Sequence, residues 1–337
     1  MRDVARLAGV GIKTVSRVVN GEPNVSPTTT EKVRAAAAQL SYEPDLHAGN
    51  LRRSGGRTQT LGLLVSSVAN PFAGQVHRAI ERVATAHGYA VLAASLEDDP
   101  AAELRAVSAL ARRRVDGFIV TPVRDDQSYL QVHADRGSPV VSVDREPTGV
   151  ETDSVVTSNH DGARGGVRHL VDHGHRRIAF LGDLERIQTA RLRREGYFHG
   201  MADADLEVDP DLVVMGLHDD ASATAVVARL IAQADPPTAI LSGQNLLTIG
   251  AIRALQQAGR SRDVALVGFD DVEAADLVEP RVTTIAQDPD RIGRLAAERM
   301  FARLDGDTSP PRQLVVPTRL VVRGSGEIPG PGVPPTA

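Results

Sequence analysis

The sequence predicts an α/β fold: a three-helix, helix-turn-helix head at the amino terminus, a hinge helix, and a two-lobed core of parallel sheets. Helical periodicity in the first 42 residues gives way, from Leu61, to apolar runs alternating with helical stretches. Charge divides the same way. Residues 1–60 carry nine Lys or Arg against five Asp or Glu, while the remainder carries 29 basic and 38 acidic residues. A basic head on an acidic body, inside a net charge of −5, points to a polyanionic partner for the head alone.

Residues 2–8 read as a first helix, and Gly9-Val10-Gly11 turns the chain, with Gly9 suited to a left-handed position. A second helix runs from Ile12 to Asn20 and stops at Asn20-Gly21. Ser26-Pro27 starts the third, Ser as cap and Pro at the first position, where no amide donor is needed. Val33, Ala36, Ala37 and Leu40 form its expected buried stripe. Pro44 ends that helix, residues 45–53 form another short one, and Ser54-Gly55-Gly56 is linker.

Beyond it come the strand runs "LGLLV", "YAVLAAS", "VDGFIVT", "PVVSVD", "RIAFLG", "LVVMG", "TAILSG" and "VALVGFD". Continuous apolar runs separated by helices imply parallel sheets covered on both faces. About ten strands are expected, enough for two similar subdomains. The end, "GEIPGPGVPPTA", lacks apolar periodicity and is expected to be disordered. The expected division is a head over 1–44, hinge helix and linker over 45–60, a core over 61–326 and a tail over 327–337.

In the second helix, Lys13, Ser16, Arg17 and Asn20 fall on one face, with Val15, Val18 and Val19 opposite and Ile12 at the border. So short a helix is marginal alone, so its valine face must dock on its neighbours. A solvated amphipathic helix shows the same pattern. The tight turn before it and the basic surroundings favour a helix-turn-helix that contacts DNA.

The stretch "DVARLAGVGIKTVSRVVNGEPNVSPTTTEKVRAAAAQLSYEPDLHAGNL" closely resembles the head of the LacI/GalR family of bacterial transcription regulators. The signature D-V-A-x-x-A-G-V-x-x-x-T-V-S-R-V-x-N is matched at every fixed position. The resemblance continues through "NPF", "DGFIV", "HLVDHGHRRIAFLG", "VGFDD" and "TTIAQD", covering residues 2–325. It implies that the second helix enters the major groove, with Ile12, Lys13 and Arg17 at base edges. Arg suits guanine and an apolar side chain suits a thymine methyl. Thr14, Ser16, Asn20 and Tyr42 then contact phosphates, which fix register. Gly11 stands where the family usually has Ser, so one hydroxyl is lost. Residues 45–53 align with the family's hinge helix, and Leu51 with the leucine wedged into the minor groove.

The resemblance also implies a periplasmic-binding-protein-like core with a small-molecule effector between its lobes. Within that core it implies lobe 1 over about 61–157 and 287–316, and lobe 2 over about 158–286 and 317–326. The matching positions are Asn70, Phe72, Thr121, Asp144, Arg193, Gln244, Asp270 and Gln287, with His218 standing in part for a sparse aromatic platform. Carboxylates, Arg and amides with few aromatics suit the hydroxyls of a sugar or polyol better than a nucleobase. Gln244-Asn245 departs from the family's Asn-Asp. The implied protein is a homodimeric repressor that binds a pseudo-palindromic double-stranded DNA operator.

No cofactor is expected. With no Cys, disulfides, thiolate zinc sites and cysteine nucleophiles are excluded. His173 and His175 in "HGHRR" read as cap and surface residues, without a third metal ligand at suitable spacing. The Asp pairs at 98–99, 125–126 and 219–220 read as helix-opening acids. No phosphate-binding glycine loop or nucleophile elbow appears. No signal-peptide pattern or membrane-length apolar run is present, so a bacterial cytoplasmic, nucleoid-associated protein is expected. A solute-binding protein of a sugar transport system, sharing the core, is the alternative; an enzyme acting on the cleft ligand is a weaker one.

Overall fold

Gly9 ends the first helix with φ at 65°, and its amide reaches back to the Ala5 and Arg6 carbonyls. That turn folds α1 (Arg2–Ala8) against α2 (Ile12–Val19), and α3 (Pro27–Gln39) closes the head. Ser26 accepts a hydrogen bond from the Thr29 amide, as a cap should. Val4, Ala5, Val15, Val18, Val33 and Ala36 are the small buried core. Leu40 lies outside it, 44% exposed, because the helical stripe ends a turn earlier at Ala36 and Ala37.

The computed structural model describes residues 1–19, 22–42 and 57–331. The expected hinge helix, with Leu51, and the end of the second helix at Asn20 lie outside the described residues.

From Thr60 the chain builds two six-stranded sheets. The first contains β1 (Thr60–Val65), β2 (Ala90–Ser95), β3 (Gly117–Val120), β4 (Val140–Asp144), β5 (Asp153–Thr157) and β11 (Gln313–Val316), in the order β11-β5-β4-β3-β1-β2. Every pairing in it is parallel. The second contains β6 (Ile178–Leu181), β7 (Val213–Val214), β8 (Ala239–Ser242), β9 (Ala265–Phe269), β10 (Thr283–Ala286) and β12 (Arg319–Val321), in the order β12-β10-β9-β8-β6-β7. Only β12 runs antiparallel there, against β10.

Pleating sends alternate residues to opposite faces, so each sheet has two cores. In β1, Leu61, Leu63 and Val65 pack under α4 (Pro71–Ala86) and α11 (Pro289–Leu304), whereas Leu64 joins the core under α5 (Pro100–Arg112). The second sheet lies between α7 (Asn159–Asp172) and α8 (Gln188–Asp203) on one face, and α9 (Asp220–Ile231) and α10 (Asn245–Gln257) on the other. The first sheet also carries a short α6 (Gln131–Asp135). The chain passes between the two units three times, after β5, β10 and β11.

The carboxyl end departs from expectation. Residues 327–331 are packed rather than disordered, because polar groups beneath them need partners. Glu327 bonds His169 at 2.5 Å and Thr283 at 2.8 Å, and the Gly330 amide donates to the His173 carbonyl. His175, expected at the surface, is fully buried, with its ring nitrogens on Thr238 Oγ1 and the Ile328 carbonyl. Burial holds its pKa below the ordinary histidine range. His173 does cap α7, as expected.

Candidate functional site

The polar face of α2 stands free of the head core. Lys13 and Arg17 are exposed and Thr14 and Ser16 half-buried, while Val15 and Val18 are buried. Ile12 is 48% exposed, an apolar side chain at the front of a polar ridge. Arg17 is only loosely held: Nε lies 3.8 Å from Glu22 Oε2, and both side chains are largely solvated. Tyr42 packs its ring against the head core instead of standing clear of it.

The second site lies where the carboxyl ends of both sheets face each other, around a cavity of about 290 Å³. Asn70, Phe72, Asp144, Arg193, His218, Gln244, Asp270 and Gln287 line it together. Thr121 does not. It is buried beyond the end of β3, its amide bonded to the Leu64 carbonyl, and Arg145 takes its place in the lining. Arg145 donates to the Pro122 carbonyl next to Thr121, so it covers that strand end.

Four further charged residues of the lining escaped the sequence reading, Glu97 among them. Asp98, taken for a helix-opening acid, leaves the capping of α5 to Asp99 and lies in the cleft beside Arg145, 2.8 Å away. Arg145 itself follows Asp144, and Asp183 follows β6. A backbone feature unites several cleft carboxylates. Glu97, Asp98, Asp144 and Asp270 have φ of 50°, 49°, 71° and 69°. Such left-handed conformations cost of order 1 kcal/mol each for non-glycine residues and gather at functional sites.

The cleft is a charge network. Arg193 is 5% exposed and lies 3.8 Å above the Phe269 ring. Its Nε donates to Asn159 Oδ1 and its Nη1 to the Gly243 carbonyl, each at 2.7 Å, with Asp270 3.8 Å away. Gln287 bridges Thr157 and Asp270 at 2.5 Å each. Burial pushes Asp144 above the usual carboxylate range, although Arg145 and Arg193 pull the other way. Burial also pushes Asp183 upward, but hydrogen bonds from His218, Gln244 and the Leu184 amide outweigh it and hold that carboxyl below the range. The Asp183 hydrogen bond holds His218 above its ordinary value. Arg145 Nη1 serves Asp98 Oδ1 at 2.8 Å, but Arg145 Nε is buried without a hydrogen-bond partner among the described residues. Such atoms are rare in proteins and mark places where another group is wanted.

Residues 1–45 match the family model for bacterial regulatory proteins, lacI family, and residues 167–326 that for a periplasmic binding protein-like domain. The ribose operon repressor of Escherichia coli (strain K12) is 32% identical over 329 residues, covering 96% of this chain and 99% of that protein. The chain belongs to the lacI family of bacterial regulatory proteins. As a lacI-family member it is a DNA-binding repressor under small-molecule control, from a family whose members are not enzymes.

The transcriptional repressor PurR of Photobacterium profundum is 31% identical to this lacI-family chain over 328 residues, covering 96% of it and 98% of that protein. Among solved structures, the lac repressor dimer bound to operator and the anti-inducer ONPF superposes with a TM-score of 0.84 at 31% identity. That match covers 96% of this chain and 98% of the other. A cellobiose complex of the regulator CelR matches at 32% identity and a TM-score of 0.71, over 96% and 98%. Among the described residues, no helix is long and apolar enough to cross a membrane.

Proposed function

We propose that this repressor binds a pseudo-palindromic operator as a homodimer and responds to a sugar or polyol held in the cleft. The observation that carries the effector class is the lining itself. Five carboxylates (Glu97, Asp98, Asp144, Asp183 and Asp270) and two guanidinium groups (Arg145 and Arg193) surround a cavity of about 290 Å³. Charged groups of both signs are the donors and acceptors that several hydroxyls need at once. Phe72 is the one aromatic ring in that lining besides the His218 imidazole, among the described residues. One ring gives a sugar face a platform but does not sandwich a base. The relatives named for ribose and bound to cellobiose support the same class.

Residues 1–44 act as the DNA-contacting head in this reading, 45–60 as the hinge, and 61–326 as effector-binding and dimerising core. Ile12, Lys13 and Arg17 face base edges and Thr14 and Ser16 phosphates. Asn20, Tyr42 and Leu51 keep the roles the family resemblance implies. Nucleoid association follows from operator binding.

A thermal-shift screen of aldoses and polyols, ribose first, tests the effector class. At 100-fold excess over Kd a cleft ligand stabilises by about 2.7 kcal/mol, several degrees in Tm. Binding-site selection with the full chain tests the head and yields its operator. A screen in which purines alone raise Tm overturns the sugar reading.

A further inference from the structure

Below the cleft, at the amino ends of the first sheet's strands, lies a second cavity of about 510 Å³. Arg57, Arg114, Arg136 and His133 line it, with Asp116 and Phe118. Arg57 is the first described residue after segment 43–56, so the chain enters the core at this cavity.

Its charges are not balanced. Asp116 is consumed by that entry: its carboxylate accepts from the Thr58 amide at 2.7 Å and the Gln59 amide at 2.8 Å. Arg57 is used on the Leu304 carbonyl and lies 3.9 Å from Asp305. Arg114 and Arg136 are exposed and make no ion pair or side-chain hydrogen bond among the described residues. Arg112 and Arg113, also exposed, adjoin them at the end of α5. Arg113 donates to the Ala109 carbonyl, which is ordinary helix capping. Arg114 has a different setting. Its φ is 56°, a conformation glycine adopts without strain, yet a guanidinium is placed there.

We infer that this basic cavity is a second DNA contact, in which Arg114 and Arg136 hold backbone phosphates of duplex flanking the operator half-site. Duplex DNA is the occupant for two reasons. The cavity opens on the end of the core to which the head is tethered. The 14 residues of segment 43–56 reach at most about 50 Å, which keeps bound DNA near this end. An arginine fork without a carboxylate matches phosphate oxygens. The inference rests on the DNA-binding reading above.

The test uses the full chain and the selected operator, alone or extended by one helical turn of arbitrary duplex on each side. Wild-type protein is expected to bind the extended duplex more tightly, and with a steeper dependence on salt. Each phosphate contributes about 0.9 to the slope of log Kobs against log salt concentration, so Arg114→Gln/Arg136→Gln lowers it by about 2 per protomer on the extended duplex. The short duplex is expected to bind wild type and variant alike. Equal wild-type slopes for both duplexes, or an unchanged slope in the variant, overturn the inference. Failure of wild type to bind either duplex overturns the DNA-binding reading instead.

Discussion

Asn245 Nδ2 donates to Asn70 Oδ1 at 2.9 Å across the cleft, joining the first turn of α10 to the cap of α4. This neutral hydrogen bond works beside three others between the lobes: Arg186 donates to the Asp98 carbonyl, the Glu146 amide donates to Gln188 Oε1, and Gln287 Nε2 donates to Asp270. A net hydrogen bond is worth about 0.5–1.5 kcal/mol, so these contacts together hold the lobes by a few kcal/mol, of the order an effector can supply.

Asn245→Ala is therefore expected to favour separation of the lobes and to weaken effector binding by up to about tenfold, read by titration calorimetry. Asn70→Ala is expected to cost more. Asn70 Oδ1 also accepts from the Phe72 amide, so a helix cap worth about 1 kcal/mol goes with the bridge. Equal losses from the two substitutions would contradict this division of labour.

Arg193→Ala strands Asp270 and removes the cation from the Phe269 face. The expected loss of stability is about 3–5 kcal/mol, measured by urea unfolding. Arg193→Lys keeps the charge but not the planar fork that serves Asn159 and Gly243 together. It is expected to unfold closer to wild type while still binding effector poorly. A lysine variant with wild-type affinity would show that charge alone suffices.

His218 and Asp183 make effector binding or stability depend on pH in a calculable direction. A histidine raised above its ordinary 6.5 contributes fully below that pH, and the contribution disappears as pH rises through the raised value. A lowered carboxyl contributes above its ordinary 3.8 and fails only as pH falls through the lowered value. The pair is accordingly strongest between about pH 4 and 6.5. The Tm difference between wild type and His218→Gln is expected to shrink as pH is raised from that window into the alkaline range. A difference constant with pH would mean the imidazole is not charged there.

Arg17→Ala is expected to relax preference at one base pair and to cost roughly 1–3 kcal/mol of operator binding. Lys32→Ala, changing an exposed cation on another helix of the head, serves as the control for bulk charge. An unchanged selection profile for Arg17→Ala would remove Arg17 from base recognition.

Much of this was legible in the sequence where local chemistry decides structure. Gly9, Ser26 and Pro27 punctuate the head helices as read, and the eight apolar runs named there all became strands. Strands β5, β10, β11 and β12 went unread because polar residues interrupt or open their apolar runs, as in DSVVT and TTIA. β11 and β12 also form sheet edges, partly exposed, without a continuous apolar run. The cleft residues at strand ends were legible through the family pattern, but Thr121 shows its limit. A neighbouring strand's Arg145 decides what reaches the cavity, and no local signal reports that. Asp98 looked like its neighbour Asp99 because both precede a helix; only the fold separates cap from cleft. His175 was misread for a similar reason, since the segment that buries it lies 153 residues away.

The central claim is that occupancy of the cleft changes what the head does. Fluorescence anisotropy of the selected operator, titrated with the full chain with and without a saturating cleft-binding sugar, measures it directly. The two Kd values are expected to differ at least tenfold, about 1.4 kcal/mol of coupling. Identical Kd values under a sugar shown by calorimetry to fill the cleft would contradict it.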